Sequence, residues 1–261
     1  MSTDTVLGLP HAIHQLHAAS VEFRSVEKIF QRKKDSLTVI KDFNLTIAPR
    51  ESIAILGPSG CGKSTLLRIV AGLETATTGD VLINGEKVSG IDNRSSIVFQ
   101  ESRLLPWSNI LLNVELGLRG KSGREKALGL LSEVGLGEFS SHYPKQISGG
   151  MAQRAALARA LVSDPQVLLL DEPFAALDAL TRLQMQDLVS TVVEQTGVSV
   201  ILVTHDIDEA LYLADRIVVL GERGEGVRGT FDVPLPHPRD RKDAALAPIR
   251  TQLYSLFGIH A

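Results

Sequence analysis

The feature of this sequence that most constrains its fold is a glycine-rich loop between an apolar segment, residues 52–56, and a helical pattern over residues 63–72. The loop consists of Gly57, Pro58, Ser59, Gly60, Cys61, Gly62, Lys63, Ser64 and Thr65. Glycines let consecutive backbone N–H groups face an anion, and the start of a helix adds positive potential. The strand, loop and helix together predict a phosphate-binding loop, with Lys63 on terminal phosphates and Ser64 on Mg²⁺. A bound nucleotide is also expected to cover the Cys61 side chain.

Short apolar runs bounded by turn residues predict strands along the rest of the chain. They cover residues 21–23, 38–47, 52–56, 81–83, 96–99, 167–170, 198–203 and 217–220. Helical patterns cover residues 63–72, 150–162, 179–196 and 207–214, the third of them after Asp178 as a candidate N-cap. This alternation predicts an α/β domain with a largely parallel sheet.

The domain organisation follows from where this alternation is interrupted. Residues 101–164 carry helical patterns without a convincing strand, which predicts a helical subdomain inserted into an α/β domain of residues 21–232. Residues 1–20 are predicted to be a flexible extension, because chain ends are often poorly ordered. Residues 233–261 are predicted to be a short tail, extended at first because of its prolines and closed by a helix over residues 249–257.

Composition narrows the possible partners and the compartment. Lys and Arg total 27 against 30 Asp and Glu, a net charge of -3, which argues against nucleic acid as a partner. No apolar run approaches the roughly 20 residues that a membrane-spanning helix needs. Residues 1–20 lack a basic segment followed by an apolar one, and Cys61 is the single cysteine. Both features fit a cytoplasmic protein.

An acidic pair, Asp171 and Glu172, ends the apolar run at residues 167–170. Active-site groups of parallel sheets collect at such strand ends. In a phosphate site, Asp171 would hold Mg²⁺ and Glu172 would orient and deprotonate the water that attacks the γ-phosphate. The pair alone is equally compatible with a solvated turn.

A second glycine-containing turn, Ser148, Gly149 and Gly150, also opens a helix and is a second anion site. Two such sites on one chain imply either two anions or one nucleotide shared between two chains. Residues 147–154 resemble the signature sequence of ABC ATPases, with Met151 where that signature often has Gln. The resemblance extends over residues 21–241. It implies a phosphate-loop core with a mainly parallel sheet, an N-terminal antiparallel β region and an inserted helical subdomain.

The same resemblance implies ATP and Mg²⁺ as cofactors and a head-to-tail dimer, in which each ATP lies between one phosphate loop and the signature turn of a second copy. It assigns Phe30 to stacking on adenine. It assigns Gln100 to contact with Mg²⁺ or the attacking water and to signalling to a permease. Asp178 falls in the loop that crosses the dimer interface, and His205 contacts the γ-phosphate. Without the resemblance, a Phe ending a strand is more often a core residue, and a lone His is more often structural.

Residues 104–107, 143–144, 177–182, 185–188 and 232–241 resemble the ATPases of taurine, aliphatic sulfonate and nitrate importers, with the sulfonate group nearest. This implies an ATP-hydrolysing subunit at the cytoplasmic face of the membrane, with permease subunits and a periplasmic or extracellular solute-binding protein. A soluble ABC ATPase is the alternative, but the segment between Gln100 and Ser148 is short and lacks heptads. A small-molecule kinase would leave the signature turn unexplained. Trp107 fits both a permease contact and a core position.

Overall fold

The computed structural model of the chain describes residues 16–31, 35–118 and 123–258. The strands are β1 (Val21–Gln31), β2 (Ser36–Ile47), β3 (Ser52–Leu56), β4 (Thr78–Ile83), β5 (Glu86–Lys87), β6 (Ser95–Val98), β7 (Val167–Asp171), β8 (Ser199–Thr204), β9 (Arg216–Leu220) and β10 (Val227–Asp232). The helices are α1 (Lys63–Val70), α2 (Ile110–Glu115), α3 (Arg124–Glu133), α4 (Gly149–Leu161), α5 (Ala179–Thr196), α6 (Ile207–Leu213) and α7 (Leu246–Leu256). Two 3₁₀ turns, Gly137–Phe139 and Pro144–Gln146, lie between α3 and α4.

The strands form two sheets. The larger has the order β10-β9-β3-β8-β7-β6, and all of its neighbours are parallel except β10 and β9. The smaller is antiparallel, with the order β2-β1-β4-β5. The predicted fold class, a mainly parallel core with an N-terminal antiparallel region, is confirmed.

Both faces of the larger sheet are buried, which explains why its strands are continuous apolar runs and not alternating ones. In β3, Ile53 and Ile55 face a core shared with α1 and the antiparallel sheet. Ala54 and Leu56 face the other core, to which helices α2 to α7 contribute. Helix α1 therefore lies between the two sheets, and the loop before it is held at the carboxyl end of β3.

Two strands that the sequence analysis did not predict carry little apolar character. β5 has two exposed charged residues, and β10 alternates between exposed and half-buried positions at the edge of its sheet. Strand β1 continues eight residues beyond its predicted end and pairs there with β2 through irregular register. Half-exposed antiparallel strands of this kind need few apolar residues, so their sequences resemble loops.

The two chain ends differ in part from expectation. Residues 1–15 lie outside the described residues, and a flexible extension remains a prediction for them alone. Residues 16–20 do not follow it: the Leu16 N–H donates to the carbonyl of Thr196 (2.8 Å), and the Ser199 hydroxyl donates to the carbonyl of Ala19 (2.7 Å). Ala19 is fully buried.

A buried arginine helps to fix the tail after β10 to the core. Arg239 donates to the carbonyls of Leu211 (3.0 Å), Ala214 (2.5 Å) and Val233 (3.1 Å). Helix α7 begins at Leu246, three residues before the predicted start. Among the residues with described positions, no helix combines the length and apolar character needed to cross a bilayer.

Candidate functional site

The glycine-rich loop has the backbone conformation that its sequence predicts. It joins the end of β3 to the first residue of α1, and Gly62 has φ 114°, a conformation that L side chains rarely adopt. A Cβ at position 62 would also lie 3.0 Å from Cγ1 of Val39. Glycine at this position therefore lets the chain enter the helix with its first N–H groups free for an anion.

Lys63 and Ser64, the first two residues of α1, point toward the end of β7. The Nζ of Lys63 donates to the carbonyls of Gly57 (2.7 Å) and Pro58 (2.9 Å). The Ser64 hydroxyl donates to Oδ1 of Asp171 (2.6 Å), which is largely buried. A hydroxyl and a carboxylate in contact supply the hard oxygen ligands that Mg²⁺ prefers, and Mg²⁺ uses few protein ligands beside phosphate and water. This pair therefore fits Mg²⁺.

Glu172 lies between the lysine and the histidine of the site. Its φ is 46°, a left-handed conformation that a residue with a side chain adopts at a cost of roughly 1–2 kcal/mol. Its N–H donates to the carbonyl of Val203 in the neighbouring strand (2.9 Å). The carboxylate lies 4.0 Å from Nζ of Lys63 and 3.3 Å from Nδ1 of His205. The strained backbone thus holds one carboxylate close to both Lys63 and His205. Either of these groups can donate a hydrogen bond to the carboxylate or to a phosphate.

These residues open onto a cleft of about 550 Å³. Of the residues predicted to hold a nucleotide, Phe30, Ser59, Gly60, Gly62, Lys63, Ser64 and Thr65 line it, together with Glu172. Phe30 lies at its edge with 36% of its surface exposed, so the core reading of Phe30 is wrong. Gly57, Pro58 and Cys61 do not line the cleft, although the carbonyls of Gly57 and Pro58 hold Lys63. Asp171 and His205 reach it through their contacts with Ser64 and Glu172.

The signature turn and the loop at Asp178 are absent from the residues that line this cleft. Ser148 caps α4 by accepting a hydrogen bond from the N–H of Met151 (3.2 Å), and Asp178 caps α5 by accepting from the N–H of Thr181 (3.0 Å). That second cap confirms the predicted one. A Cβ on Gly150 would lie 2.3 Å from Cγ2 of Thr181, so any side chain at this position would displace Thr181. Within one chain, the two anion-binding helix starts do not share a site.

Gln100 also lies outside the residues that line the cleft, and its side chain is exposed. The loop that carries it is nevertheless tied to the signature helix α4. Gln153, 2% exposed, donates to the carbonyl of Phe99 (2.8 Å), and Arg159 donates to the carbonyls of Ser102 (2.7 Å) and Arg103 (2.9 Å). Burial lowers the pKa of Arg159. The Gln100 loop and the signature turn are thereby joined through a single helix.

Sequence reasoning missed Arg223, which lies in the turn between β9 and β10 and lines the cleft. Its Nε donates to the carbonyl of Gly60 (3.1 Å). The contact joins residues 163 positions apart in the chain, and Arg223 stands in a charged, glycine-rich stretch that predicts only a solvated turn. A local motif could not have revealed it.

The expectation for Cys61 requires correction, because its thiol faces the core and not the cleft. The side chain is 5% exposed and packs among Val39, Phe43, Leu66 and Leu220. Burial raises the pKa of the Cys61 thiol above its usual range. Position 61 can therefore serve an anion through its backbone N–H only.

We expect a thiol reagent to label native Cys61 at least about tenfold more slowly than the unfolded chain, because the thiolate is both buried and disfavoured. MgATP should leave the labelling rate unchanged. Cys61→Ser should keep ATP binding but lose roughly 1–3 kcal/mol of unfolding free energy, since a hydroxyl would be buried among apolar groups. Labelling kinetics and urea denaturation measure both effects. Fast labelling that MgATP suppresses would restore the original expectation.

Comparison with known proteins places this geometry in a family. The model of the ABC transporter family matches residues 40–175. Aliphatic sulfonates import ATP-binding protein SsuB 1 of Xanthomonas axonopodis pv. citri is 47% identical over 85% of this chain and 92% of its own length. The SsuB proteins of Granulibacter bethesdensis and Bacillus cereus are 49% and 40% identical, over 86% and 91% of this chain and 90% and 96% of their own lengths.

Solved structures give the same result. The dimeric post-hydrolysis state of the ATP-binding cassette MJ0796 bound to ADP and Pi is 35% identical to this chain. Its match has a TM-score of 0.73 and covers 83% of this chain and all of that one. Family model, relatives and fold agree over most of the sequence, and this protein belongs to the ABC transporter family as one of its ATP-binding cassettes.

Proposed function

We propose that this chain is the ATP-hydrolysing subunit of an ABC importer for aliphatic sulfonates. The main evidence for ATP hydrolysis is that five side chains meet at one cleft, with 2.6 to 4.0 Å between contacting pairs. They are Lys63, Ser64, Asp171, Glu172 and His205. The assignment to sulfonates is supported by relatives named for sulfonate import that match over most of their length. Taurine or nitrate remains the alternative cargo.

The proposed roles follow from the geometry of each group. Lys63 exchanges its two carbonyl partners for the terminal phosphates, and Phe30 stacks on the adenine ring. Ser64 and Asp171 hold Mg²⁺. Gln100 joins these ligands when the loop that carries it moves toward the cleft. Bound Mg²⁺ would neutralise charge on the β- and γ-phosphates. Glu172 takes a proton from the attacking water, and His205 holds the Glu172 carboxylate and reaches the γ-phosphate.

We further propose that a second copy of the chain completes the site. Ser148, Gly149 and Gly150 form an anion-binding helix start that their own cleft does not use. A head-to-tail dimer would bring that turn to the γ-phosphate in the partner's cleft, with Asp178 near the interface. The dimeric cassette structures that match this chain support such an arrangement.

Permease subunits are the proposed membrane partner, and an exposed apolar patch is their proposed contact. Trp107 is 72% exposed, so the core reading of this residue is wrong. Leu112, Leu116 and Tyr143 are also exposed in the same helical part of the chain. We propose that these side chains form one apolar surface, which is the kind of surface that marks an interaction site. The patch would hold the chain at the cytoplasmic face of the membrane, and the permease would connect it to a solute-binding protein outside.

Trp107→Ala should weaken permease binding at least about tenfold. Truncating a central Trp at an interface commonly costs about 2 kcal/mol of binding free energy or more. Nucleotide affinity and the free energy of unfolding should stay near wild type, since the side chain is largely exposed. Ile91→Ala, at an exposed apolar residue outside the helical part, is the matched control. Co-purification with the permease and nucleotide titration measure the two effects. Parallel loss of folding or ATP binding would contradict the interface role.

Reconstitution tests the function itself. The chain is reconstituted with a candidate permease in liposomes that contain MgATP, a candidate solute-binding protein is added outside, and uptake of labelled hexanesulfonate, taurine and nitrate is measured. We expect ATP-dependent uptake with hexanesulfonate favoured. Preference for taurine or nitrate would reassign the cargo. ATP hydrolysis without uptake of any solute, and without membrane association, would support the soluble alternative.

A further inference from the structure

Arg223 brings a second positive charge to the nucleotide cleft, and the mechanism proposed above gives it no role. It is an exposed residue in the turn between β9 and β10. Among the described residues that line the cleft, Lys63 and Arg223 are the only two with a positive charge. Lys63 belongs to the phosphate loop, whereas Arg223 reaches the cleft from a distant part of the chain.

The turn that carries Arg223 is fixed by its own hydrogen bonds. The Gly221 N–H donates to the carbonyl of Gly226 (2.9 Å), and the Glu225 N–H donates to the carbonyl of Glu222 (3.0 Å). The Glu222 N–H donates in return to the Glu225 carboxylate (2.8 Å). Gly226 has φ 81°, a left-handed conformation that glycine adopts readily. The backbone therefore holds Arg223 at a defined place beside the cleft.

Arg223 contacts the phosphate loop at Gly60. Its Nε donates to the carbonyl of Gly60 (3.1 Å), and a Cβ at position 60 would lie 3.0 Å from its Nη2. Glycine at position 60 thus leaves space for a guanidinium against the loop. A guanidinium has five N–H donors, of which four are on the two Nη atoms. Those four have no partner among the residues that the structure describes.

The charge of Arg223 is also unpaired. No carboxylate of the described part of the chain lies within 4.0 Å of its nitrogens, and this includes Glu222 and Glu225 in the same turn. The Glu225 carboxylate pairs instead with Arg228 (3.4 Å). Glu172, which lines the cleft, contacts the lysine and the histidine of the site. An unpaired guanidinium beside an anion-binding loop attracts a further anion.

The two cations hold different carbonyls of the same loop. Lys63 holds those of Gly57 and Pro58, whereas Arg223 holds that of Gly60. In the proposed mechanism, Lys63 exchanges its carbonyls for phosphate. Arg223 needs no such exchange, because its Nε can keep the Gly60 carbonyl while its Nη atoms bind a ligand. Phosphate oxygens fit these donors, since a guanidinium donates paired hydrogen bonds to them.

We propose that Arg223 binds the phosphates that ATP and ADP share, through its Nη atoms, while its Nε holds the phosphate loop. Arg223 lies against the loop itself, whereas Glu172 and His205 mark the end of the cleft where the γ-phosphate is cleaved. This inference deepens the function proposed above and rests on its nucleotide cleft. It makes the hairpin of β9 and β10 part of the nucleotide site.

The test is isothermal titration of the full chain with MgADP, whose binding requires neither hydrolysis nor a dimer. Arg223→Gln removes the charge but keeps an N–H donor for the Gly60 carbonyl. We expect MgADP to bind about tenfold more weakly or worse, as is usual when a hydrogen bond to a charged group is lost. Arg223→Lys should recover part of the affinity, because an ammonium also binds phosphate. Arg228→Gln, in the same hairpin but outside the cleft, is the matched control and should bind as wild type does.

Salt distinguishes a phosphate contact from a purely structural role of the Gly60 hydrogen bond. Between about 0.1 M and about 1 M NaCl the Debye length falls from about 10 Å to about 3 Å, which screens an exposed charge. The difference in affinity between wild type and Arg223→Gln should shrink at least about threefold over this range. The free energy of unfolding, measured in urea, should stay near wild type.

Two results would overturn the proposal. One is equal MgADP affinity in wild type and Arg223→Gln, even if the ATP-dependent dimer were weaker, because Arg223 would then serve the contact between copies. The other is an affinity difference that does not change with salt and accompanies a lower free energy of unfolding, because Arg223 would then only support the loop. Failure of the wild-type chain to bind MgADP would instead contradict the nucleotide cleft itself, so the two failures are distinguishable.

Discussion

Glu172→Gln should lower ATP hydrolysis by about 10²–10⁴-fold, because the amide keeps the shape of the side chain but cannot take a proton from water. A loss of this size corresponds to roughly 3–5 kcal/mol of activation free energy. ATP affinity should remain near wild type, since Lys63, Ser64 and Asp171 are unchanged. A dimer stabilised by unhydrolysed ATP should therefore accumulate.

Phosphate release and size-exclusion chromatography in MgATP measure the two effects. Glu86→Gln is the matched control, because Glu86 is highly exposed, pairs with Arg94 and does not line the cleft. Hydrolysis by Glu172→Gln at the wild-type rate would contradict the assignment of Glu172 as the base. Loss of ATP binding together with hydrolysis would give Glu172 a structural role.

The elements most accurately predicted from sequence are those with buried apolar faces or a clear cap. β3 and α5 have the predicted bounds, residues 52–56 and 179–196. α5 begins after the Asp178 cap and ends before Gly197, which has a left-handed conformation, and both residues are strong local signals. Where one face of a strand meets solvent, as in β5 and β10, the signal was too weak.

The candidate site likewise has residues with a strong local sequence signal and residues without one. Lys63, Ser64, Asp171 and Glu172 were predicted from motifs and strand ends, and His205 from the family resemblance. The structure brings these five residues into contact. Their catalytic roles remain proposals. Contiguous motifs succeed here because parallel strands deliver their carboxyl ends to one edge of the sheet.

What the sequence could not show depends on packing between distant segments. The Cys61 thiol turns into the core, where it packs against residues that are distant in the sequence, and only the packed structure shows this. Exposure of Trp107 depends on how the helical part folds. Arg223 and Gln153 act on backbone carbonyls, which have no residue type to recognise in a sequence.

The central claim is that two copies of the chain share each ATP, and mixed dimers test it most directly. Lys63→Ala removes the charge that grips the terminal phosphates, and Ser148→Arg blocks the contact offered to the other copy. Either homodimer should lose at least about 10²-fold in hydrolysis, since removing one such contact commonly costs that much. Lys87→Ala, at an exposed lysine of β5, is the control for loss of charge.

The measurement is ATP occlusion in two mixed dimers, isolated by two different affinity tags. One pairs a Lys63→Ala chain with a Ser148→Arg chain, so both defects fall on the same shared site and the other site is intact. The second pairs a chain carrying both changes with a wild-type chain, which damages both shared sites. The shared-site account predicts that the first dimer traps ATP and the second traps almost none. Equal trapping, or the reverse order, would show that each chain binds its nucleotide alone and would contradict the account.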